Sequence, residues 1–579
     1  MEQFTGKVWI LGDDIDTDII IPTEYLALPT VEDMKQYGFS PLRPELAGQI
    51  QEGDIIVAGK NFGCGSSREQ APEIIKALKV KCVIAKSYAR IFFRNSINNG
   101  LLLIENSDIQ DVIKEGDTLT VHMGESLEFD GKTYPIHPLP DNLMDIINAG
   151  GLVKAMQKRN GIIYEAVMGS TLIENIIEKN TGLSKVTPGQ IVTVNVDRVM
   201  IHDIFIPFVA EKFEEMGFTK LWDSDKVVLI YDHLVPTSAV EDVRHFKIGD
   251  AFSDKYGLTH VHRRDGICHQ LMTEAGYAKP GNIVFGTDSH TTTYGCVGCF
   301  SSGIGYTEMA SILGTGEMWI RVPETIKVVI NGTLPANVTA KDVILRLIGD
   351  LRADGATYKA LEITGSAVDA MSVASRMTIS NMAIEAGAKC CLFRPDEKTC
   401  EYSEVKMEDV DWLYGDEDAA YCRTITYQAE ELVPVCACPS QVDNIHPVSE
   451  LVGTDIDQVF IGSCTNGRLE DLAVAAKILE GKTVACRTII TPASRKIYIE
   501  AIKAGYMETL AKAGAIITQP GCGLCCGRAG GILCDGEKVL ATNNRNFLGR
   551  MGTSKVGIYL GSPATAATSA VYGKITLPK

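Results

Sequence analysis

The sequence predicts an α/β protein of several domains with largely parallel sheets. Apolar, β-branched runs are repeatedly followed by turns rich in Gly, Ser, Thr and Asn and then by helical periodicity, as in GDIIVAGKNFGCGSSREQAPEIIKALK and DQVFIGSCTNGRLEDLAVAAKIL. This alternation is typical of strand–helix units that build parallel sheets. The length of 579 residues corresponds to about three or four domains.

A polar, Gly-containing stretch near residues 155–165 separates two parts of the chain. It follows a helical pattern and precedes TLIENIIEKNTG, where new periodic structure begins. We expect one domain at 1–160 and three further α/β domains at 165–325, 326–450 and 451–579.

Composition narrows the class of protein. Hydrophobic residues make up 45% of the chain and charged residues 22%, as in an ordinary globular protein. The net charge of -18 argues against nucleic acid or an anionic membrane as a partner, because such surfaces need excess Lys and Arg. The sequence carries neither a signal-peptide pattern nor a long uninterrupted apolar run, so we expect a cytoplasmic protein.

Cysteines form the first candidate site. In a long chain of this kind the 17 cysteines indicate metal, cluster or catalytic roles rather than a disulfide framework. Cys522 and Cys525 form a C-x2-C pair in the glycine-rich loop PGCGLCCG, and Cys464 lies in the turn IGSCTNGR. From spacing alone, the C-x2-C pair fits a zinc site, a redox pair or an iron-sulfur cluster. We interpret the other candidates as small packing residues: Cys296, Cys299, Cys390, Cys391, Cys436, Cys438 and Cys526.

A second candidate is the segment GCGSSREQAPEIIKAL. Ser66 with Glu69 three positions later fits a capping box that begins a helix. The functional alternative is that Ser66, beside Arg68 and backbone N–H donors, forms a stabilised alkoxide that accepts a proton from carbon.

Acid–base and anion-binding residues complete the candidate set. Histidines paired with carboxylates in turns after apolar runs suit general acid work, and the arginines of NNRNFLGR suit bidentate binding of carboxylates. These residues are Asp232, His233, His269, Asp288, Ser289, His290, Glu362, Arg545 and Arg550.

Taken together, the motifs resemble one family. IGSCTNGR, PGCGLCCG, TDSHTTTYG, YDHL, ATNNRNFLGR and GCGSSRE are similar to the signatures of the aconitase superfamily, most of all its isopropylmalate dehydratase and homoaconitase branch. Residues 1–160 resemble the small subunit and residues from about 165 onward the large one. The resemblance implies three α/β domains around a cluster and an N-terminal swivel domain, in one chain with the small part first.

The resemblance also implies a site. Cys464, Cys522 and Cys525 would hold a 4Fe-4S cluster near Asn466 and Asn544, with Cys526 unliganded. Ser66 would be the base, stabilised by Arg68, and the leaving hydroxyl would be protonated and oriented by the group Asp232, His233, His269, His290 and Glu362. Asp288 and Ser289 would line the pocket, whereas Ser67, His202, Arg545 and Arg550 would contact substrate.

The expected substrate is a small hydroxy-dicarboxylate with an alkyl group. In this branch the turn after IIP is associated with substrate selection, and here Ala27 and Leu28 stand where homoaconitase-like members carry arginine. A third carboxylate would lose its charged partner there. We therefore expect 3-isopropylmalate, an intermediate of leucine biosynthesis, first.

Several alternatives stay open. The bulky Ile204 and Phe205 are also compatible with 2,3-dimethylmalate, and aconitase or homoaconitase chemistry is a further possibility. From other classes, an iron-responsive RNA-binding regulator is opposed by the acidic charge, and a structural zinc protein is a weaker fit. The sequence makes no prediction about self-association.

Overall fold

The computed structural model describes residues 3–578 except 27, 29, 67, 137–138, 140, 149–150, 153–168 and 529. The predicted linker at 155–165 lies outside the described residues. In the described part of the chain, no helix has the length and apolar character that crossing a membrane requires.

The N-terminal part forms a seven-stranded mixed sheet with helices. The strands, in spatial order, are Leu102–Glu105, Cys82–Ala85, Ile55–Ala58, Gln3–Ile10, Thr118–His122, Ser126–Phe129 and Lys132–Pro135. The first four are parallel, and the remaining pairings are antiparallel. The helices are Thr17–Ile20, Val31–Met34, Leu46–Gln49, Gln70–Ala77, Arg90–Asn98, Ile109–Val112 and Asp141–Asn148.

The next unit is built on a parallel sheet of five strands. Their order is His260–His262, Val227–Ile230, Arg198–His202, Ile283–Gly286 and Phe300–Gly303. Ile191–Asn195 and Glu317–Arg321 form a separate antiparallel pair. The helices are Leu172–Thr181, Ile206–Glu215, Val240–Tyr256, Cys268–Glu274 and Tyr306–Thr315.

A third sheet has four parallel strands, in the order Cys390–Phe393, Ala360–Thr364, Thr325–Asn331 and Arg423–Gln428. Its helices are Ala340–Leu351, Ser366–Ala370, Val373–Met382 and Glu397–Ser403. The strands Ala360–Thr364 and Cys390–Phe393 are mostly buried on both faces, whereas the edge strand Arg423–Gln428 is largely exposed.

The last sheet has seven strands. Their order is Ile445–Pro447, Val435–Ala437, Gly557–Leu560, Lys538–Ala541, Gln458–Ile461, Arg487–Ile490 and Ile516–Ile517. The helices are Val448–Leu451, Ser463–Asn466, Leu469–Leu479, Arg495–Lys503, Tyr506–Lys512 and Pro563–Tyr572. The predicted limit at residue 450 cuts through this sheet, because Val435–Ala437 pairs with Gly557–Leu560. We propose a limit nearer residue 430.

The predicted α/β class is confirmed by these four sheets and their helices. One core joins the third and fourth sheets, since Ile344 and Phe460 belong to the same buried cluster as Cys522 and Cys525. The cysteine loop is therefore fixed by packing from two sheets.

Buried polar contacts join the N-terminal part to the second unit. Arg94 of helix Arg90–Asn98 forms a buried ion pair with Glu308, at 2.6 Å, and donates to the Trp319 carbonyl at 2.9 Å. Glu69 accepts the Thr307 backbone N–H at 2.8 Å, and the Tyr306 hydroxyl donates to Glu73. This network holds the loop that carries Ser66 against the rest of the protein.

We expect Arg94→Met to undock the N-terminal part. The change leaves the Glu308 carboxylate buried and unpaired, which costs about 3–5 kcal/mol. Thermal unfolding and limited proteolysis should show a lower Tm and faster cleavage in residues 1–160.

The double variant R94M/E308L should recover most of the Tm, because no unpaired charge then remains buried. Lys512→Met breaks an exposed ion pair with Glu508 and serves as a control that leaves the Tm unchanged. A double variant as unstable as R94M alone would contradict this account of the interface.

Candidate active site

Polar residues gather at one edge of the second sheet. His202 is the last residue of its strand, and Asp232 and Asp288 follow the two strands beside it. These strands are parallel neighbours, so their carboxyl ends meet at one edge, where α/β proteins bind ligands.

The Asp288 carboxylate connects three histidines. Its Oδ1 lies 2.8 Å from His269 Nε2 and 3.3 Å from His290 Nδ1, and its Oδ2 lies 3.6 Å from His233 Nε2. Burial alone would raise the pKa of Asp288, but the charge of His269 and the contacts with all three histidine rings outweigh burial and hold it well below its usual range. The carboxylate is therefore ionised at neutral pH.

His233 stands between two carboxylates. Its Nδ1 lies 2.7 Å from Asp232 Oδ1, and the other Asp232 oxygen accepts the Cys268 N–H at 2.8 Å. Burial would lower the pKa of His233, but the charge of Asp232 and the hydrogen bonds raise it well above its usual value. His202 stacks on His233 with ring centroids 4.3 Å apart. A protonated imidazole held this way is suited to give a proton to a leaving group.

Glu385 supplies the carboxylate that the sequence analysis expected from Glu362. Glu385 Oε1 lies 2.8 Å from His290 Nε2 and 2.9 Å from Arg545 Nε. Arg545 also donates to the Ser289 hydroxyl at 2.9 Å. Burial would raise the pKa of Glu385, but the charge of Arg545 and the His290 hydrogen bond hold it below its usual value.

The structure does not bring Glu362 to this group. Its carboxylate accepts the Leu172 N–H at 3.1 Å and the Tyr421 hydroxyl at 2.8 Å. The expectation failed because Glu362 lies within a strand, Ala360–Thr364, whereas the site residues of the second sheet lie where strands end.

Three buried thiols lie beside these groups. The Asn544 side chain contacts two of them: its Nδ2 lies 3.3 Å from Cys464 Sγ, and its Oδ1 lies 3.6 Å from Cys525 Sγ. Cys522 shares a side-chain hydrogen bond with Cys525. The cysteines and Asn544 converge because Cys464 and Asn544 follow adjacent parallel strands of the last sheet.

The thiols differ in proton affinity. The hydrogen bond with Cys522 and the nearby Arg550 guanidinium outweigh burial and hold the pKa of Cys525 well below its usual value. Burial and the neighbouring Cys525 raise the pKa of Cys464 to about 12. The charges of Asp288 and His290 act on Cys464 and Cys525 respectively, so thiols and acid–base residues share one site.

The N-terminal part contributes a loop to the same place. Gly63 has φ +78°, and a side chain there would collide with Phe92, so this turn requires glycine. The Thr17 hydroxyl contacts the Ser66 backbone N–H at 3.0 Å and its carbonyl at 3.2 Å. Arg545, which follows the strand Lys538–Ala541 of the last sheet, donates to the Gly65 carbonyl at 3.0 Å. The loop is thus fixed from both parts of the chain.

A cavity of about 70 Å³ lies between the two parts. Arg68 lines it and is held by an ion pair with Asp18 and by donation to the Ile21 carbonyl at 2.9 Å. Arg550 also lines it and donates to the Cys525 carbonyl at 2.8 Å. The full lining is Thr23, Leu26, Ser66, Arg68, His202, Ile204, Phe205, His233, Leu234, His245, Asp288, Cys526, Arg528, Arg545 and Arg550.

Other predicted residues either lie outside the described residues or contact other parts of the structure. Ala27 and Ser67 lie outside the described residues. Leu28 is half-buried and packs against the N-terminal core, whereas Leu26 faces the cavity. Asn466 is buried, and its amide donates to Asp471 at 3.0 Å.

Other cysteines divide between packing and the cavity. Cys296 and Cys299 are fully buried in an apolar cluster, as expected for packing residues. Cys526 lines the cavity instead, with its Sγ 3.7 Å from the His233 carbonyl. Sequence reasoning also missed Arg528 and His245. The only available signal for Arg528 and Cys526 was their position in the same CCGR turn as the candidate ligands.

Two protein-family models match this chain, one in the N-terminal part and one in the remainder. Residues 174–573 match the aconitase family (aconitate hydratase), and residues 36–108 match the aconitase C-terminal domain. The chain is 47% identical over 416 residues to 3-isopropylmalate dehydratase large subunit 1 of Methanopyrus kandleri, an alignment that covers 71% of this chain and 99% of that protein.

Two further relatives extend this result. The probable methanogen homoaconitase large subunit of Methanosarcina mazei is 46% identical over 392 residues, covering 66% of this chain and 99% of that protein. A solved 3-isopropylmalate dehydratase from Methanocaldococcus jannaschii is 41% identical and covers 27% of this chain and 95% of that chain, with a TM-score of 0.26.

Asp288→Asn should lower stability in a pH-dependent way. The variant removes the ionised acceptor that three buried histidine rings contact, and His233 keeps only Asp232 as a carboxylate partner. Breaking a buried charged network in this way costs about 3–5 kcal/mol at neutral pH. Because the folded-state pKa of Asp288 is depressed, its contribution is present above the unfolded pKa of about 3.9 and is lost as pH falls. The Tm difference from wild type should hold from about pH 7 to pH 5 and shrink below about pH 4.

Asp225→Asn is the matched control, since Asp225 pairs with His260 on an exposed surface. It should change the Tm little at any pH. A wild-type to D288N difference that stays constant down to pH 3 would show that Asp288 is not ionised by its histidines.

Proposed function

The chain belongs to the aconitase family, and we propose that it is a hydro-lyase that dehydrates and rehydrates an alkyl-substituted malate, with 3-isopropylmalate as its substrate. The observation that carries the proposal is the cavity shared by both parts of the chain. There Ser66 and Arg68 from the N-terminal part meet the acid–base group around Asp288, beside three buried thiols.

Members of this family are in general iron–sulfur enzymes. The residues present fit a 4Fe-4S cluster: Cys464, Cys522 and Cys525 are buried, Asn544 contacts two of their thiols, and Cys525 is already inclined to be a thiolate. When bound, a cluster with one iron lacking a cysteine supplies a Lewis acid that eases departure of hydroxide. We assign these three cysteines as its ligands and leave Cys526 unliganded.

We propose that proton transfer uses residues from both the N-terminal part and the second unit. We assign Ser66 as the base that removes the proton bound to carbon, and Arg68 as the charge that stabilises its alkoxide. His233 holds the proton for the leaving hydroxyl, because Asp232 and Asp288 raise the pKa of its ring. Asp288 is kept in orientation by His269 and His290, and His290 is in turn held by Glu385.

Arginines in the cavity account for a dicarboxylate. Arg550 carries no carboxylate partner among the described residues, and its guanidinium reaches the cavity, so it is free to bind a substrate carboxylate. Arg545, which pairs with Glu385 and donates to Ser289, lines the same cavity as Arg550, and we propose it as a second contact for a substrate carboxylate. We keep Ser67 and His202 as further substrate contacts.

The apolar side of the cavity favours an alkyl substituent. This side of the cavity is lined by the uncharged, apolar side chains of Leu26, Ile204, Phe205 and Leu234. Ala27 and Leu28 remain our proposed selectivity turn together with Leu26, since none of the three offers a charged partner to a third carboxylate. Arg528 in the same cavity is paired with the buried Asp242 at 2.5 Å. The homoaconitase relative nevertheless makes a tricarboxylate the second candidate.

Ser66→Ala should nearly abolish turnover of the reconstituted enzyme. Loss of a positioned base lowers kcat by roughly 100- to 10,000-fold. Iron and sulfide content should stay at the wild-type level, because Ser66 contacts Thr17 through its backbone rather than the thiols.

Thr5→Ala, which removes an exposed hydroxyl bonded to Thr120, is the matched control and should retain activity. Loss of iron and sulfide in S66A, or turnover near the wild-type rate, would contradict the role of Ser66.

Substrate preference can be tested directly. Anaerobic, iron- and sulfide-reconstituted protein should form the unsaturated acid, followed by ultraviolet absorbance, faster from 3-isopropylmalate than from 2,3-dimethylmalate, citrate or homocitrate. The variant Leu26→Arg, which places a charge in the apolar wall, should reduce kcat/KM for 3-isopropylmalate by roughly 10-fold or more.

Preference for dimethylmalate would assign the selectivity to Ile204 and Phe205. Preference of the wild-type enzyme for citrate or homocitrate would contradict the proposed alkylmalate specificity.

A further inference from the structure

His202, His233 and Asp288 bring three donor atoms to within 4.8 Å of one another in the cavity. We propose that these residues form a binding site for one divalent zinc-like cation, separate from the group held by the cysteines, and that this cation competes with substrate. The inference rests on donor geometry and does not depend on which acid the enzyme converts.

His202 is the first argument for a missing ligand. His202 is 1% exposed and lines the cavity; its Nδ1 lies 3.7 Å from Asp203 Oδ1, and its Nε2 has no partner among the described residues. Leaving a buried polar group unsatisfied costs free energy, so a buried Nε2 without a partner beside a cavity points to a ligand that binds this nitrogen.

The spacing of the other two donors fits a shared ion. His233 Nε2 and Asp288 Oδ2 lie 3.6 Å apart, which is longer than a normal hydrogen bond. Bonds of about 2.0–2.2 Å from a tetrahedral zinc ion place two ligand atoms about 3.4 Å apart. The two atoms are therefore nearly at the separation that one metal ion requires.

His233 and Asp288 are each held in place by further side chains on the side away from the cavity. Asp232 contacts His233 Nδ1 at 2.7 Å, which leaves Nε2 facing the cavity, where a bound cation takes the place of the proton that this ring otherwise holds. His269 and His290 contact the Oδ1 atom of Asp288, which leaves Oδ2 for a ligand. Such carboxylate–histidine–metal arrangements fix the tautomer and raise the basicity of the ligating nitrogen.

The local charge also favours a cation. Asp203, Asp232 and Asp288 surround the two stacked histidines. Three of the four arginines that line the cavity are paired with carboxylates, as in Arg68–Asp18, Arg545–Glu385 and Arg528–Asp242.

The other two groupings of possible ligands in the same region are less suitable. In the group of His269, Asp288 and His290, the ring nitrogens already contact Asp288, Tyr294 or Glu385. Asp203, in the third group, accepts backbone N–H groups of His233 and Leu234. Among the three groupings of described residues, only the set with His202 combines a ring nitrogen that has no partner with a cavity.

The test is zinc binding to the full-length, cluster-loaded protein. Equilibrium dialysis against Zn²⁺ alone, with zinc and iron measured together, should give about one zinc per chain without loss of iron. Saturating 3-isopropylmalate should displace it. His202→Phe and His202→Asn should each weaken zinc binding by roughly 100-fold, because each removes a ligand.

His245→Phe is the matched control, since His245 lines the same cavity but belongs to none of the three groupings. It should retain zinc. Equal zinc binding in wild type and both His202 variants would overturn the proposal, as would an equal loss in H245F.

A second measurement removes the cysteines as competitors. In the full-length C464S/C522S/C525S variant, Co²⁺ should give the visible d–d absorption of a tetrahedral site, and adding H202N should abolish it. Folding of each variant is checked by circular dichroism. Absence of this absorption in the folded triple variant would refute the site even if the holoenzyme takes up zinc.

Discussion

The ionised carboxylate of Asp288 is the interaction on which the rest of the site depends. Its side chain is half-buried, and the rings of three histidines contact it. That arrangement fixes the orientation of His233, His269 and His290 at once. Without this negative charge, His233 would lose one of the two carboxylates that raise the pKa of its ring, and the proton donor of the pocket would be weakened.

The fold supplies this arrangement through parallel strands. His202, Asp232 and Asp288 come from neighbouring strands of one sheet, and Cys464 and Asn544 from neighbouring strands of another. Two sheet edges therefore face one another across the site. The N-terminal part closes the site through buried contacts with the second unit and with Arg545.

Sequence alone predicted the residues that follow apolar runs, because the end of a buried strand is visible as a change of polarity. It failed for Glu385, which lies in a short turn after the helix Val373–Met382, where no such change marks it. Its contact with Arg545 arises from packing between the third and fourth sheets. Cys526 lines the cavity although the sequence predicts a packing residue there, because composition does not reveal which side of a turn faces a cavity.

The central proposal is that Cys464, Cys522 and Cys525 would hold a four-iron cluster in which one iron lacks a cysteine ligand. Electron paramagnetic resonance of the anaerobically reconstituted, mildly oxidised protein tests it most directly. The account predicts a three-iron signal that disappears when ferrous iron is added back, and that is absent from the C464S variant. Zinc without sulfide, or a cluster unchanged in C464S, would contradict it.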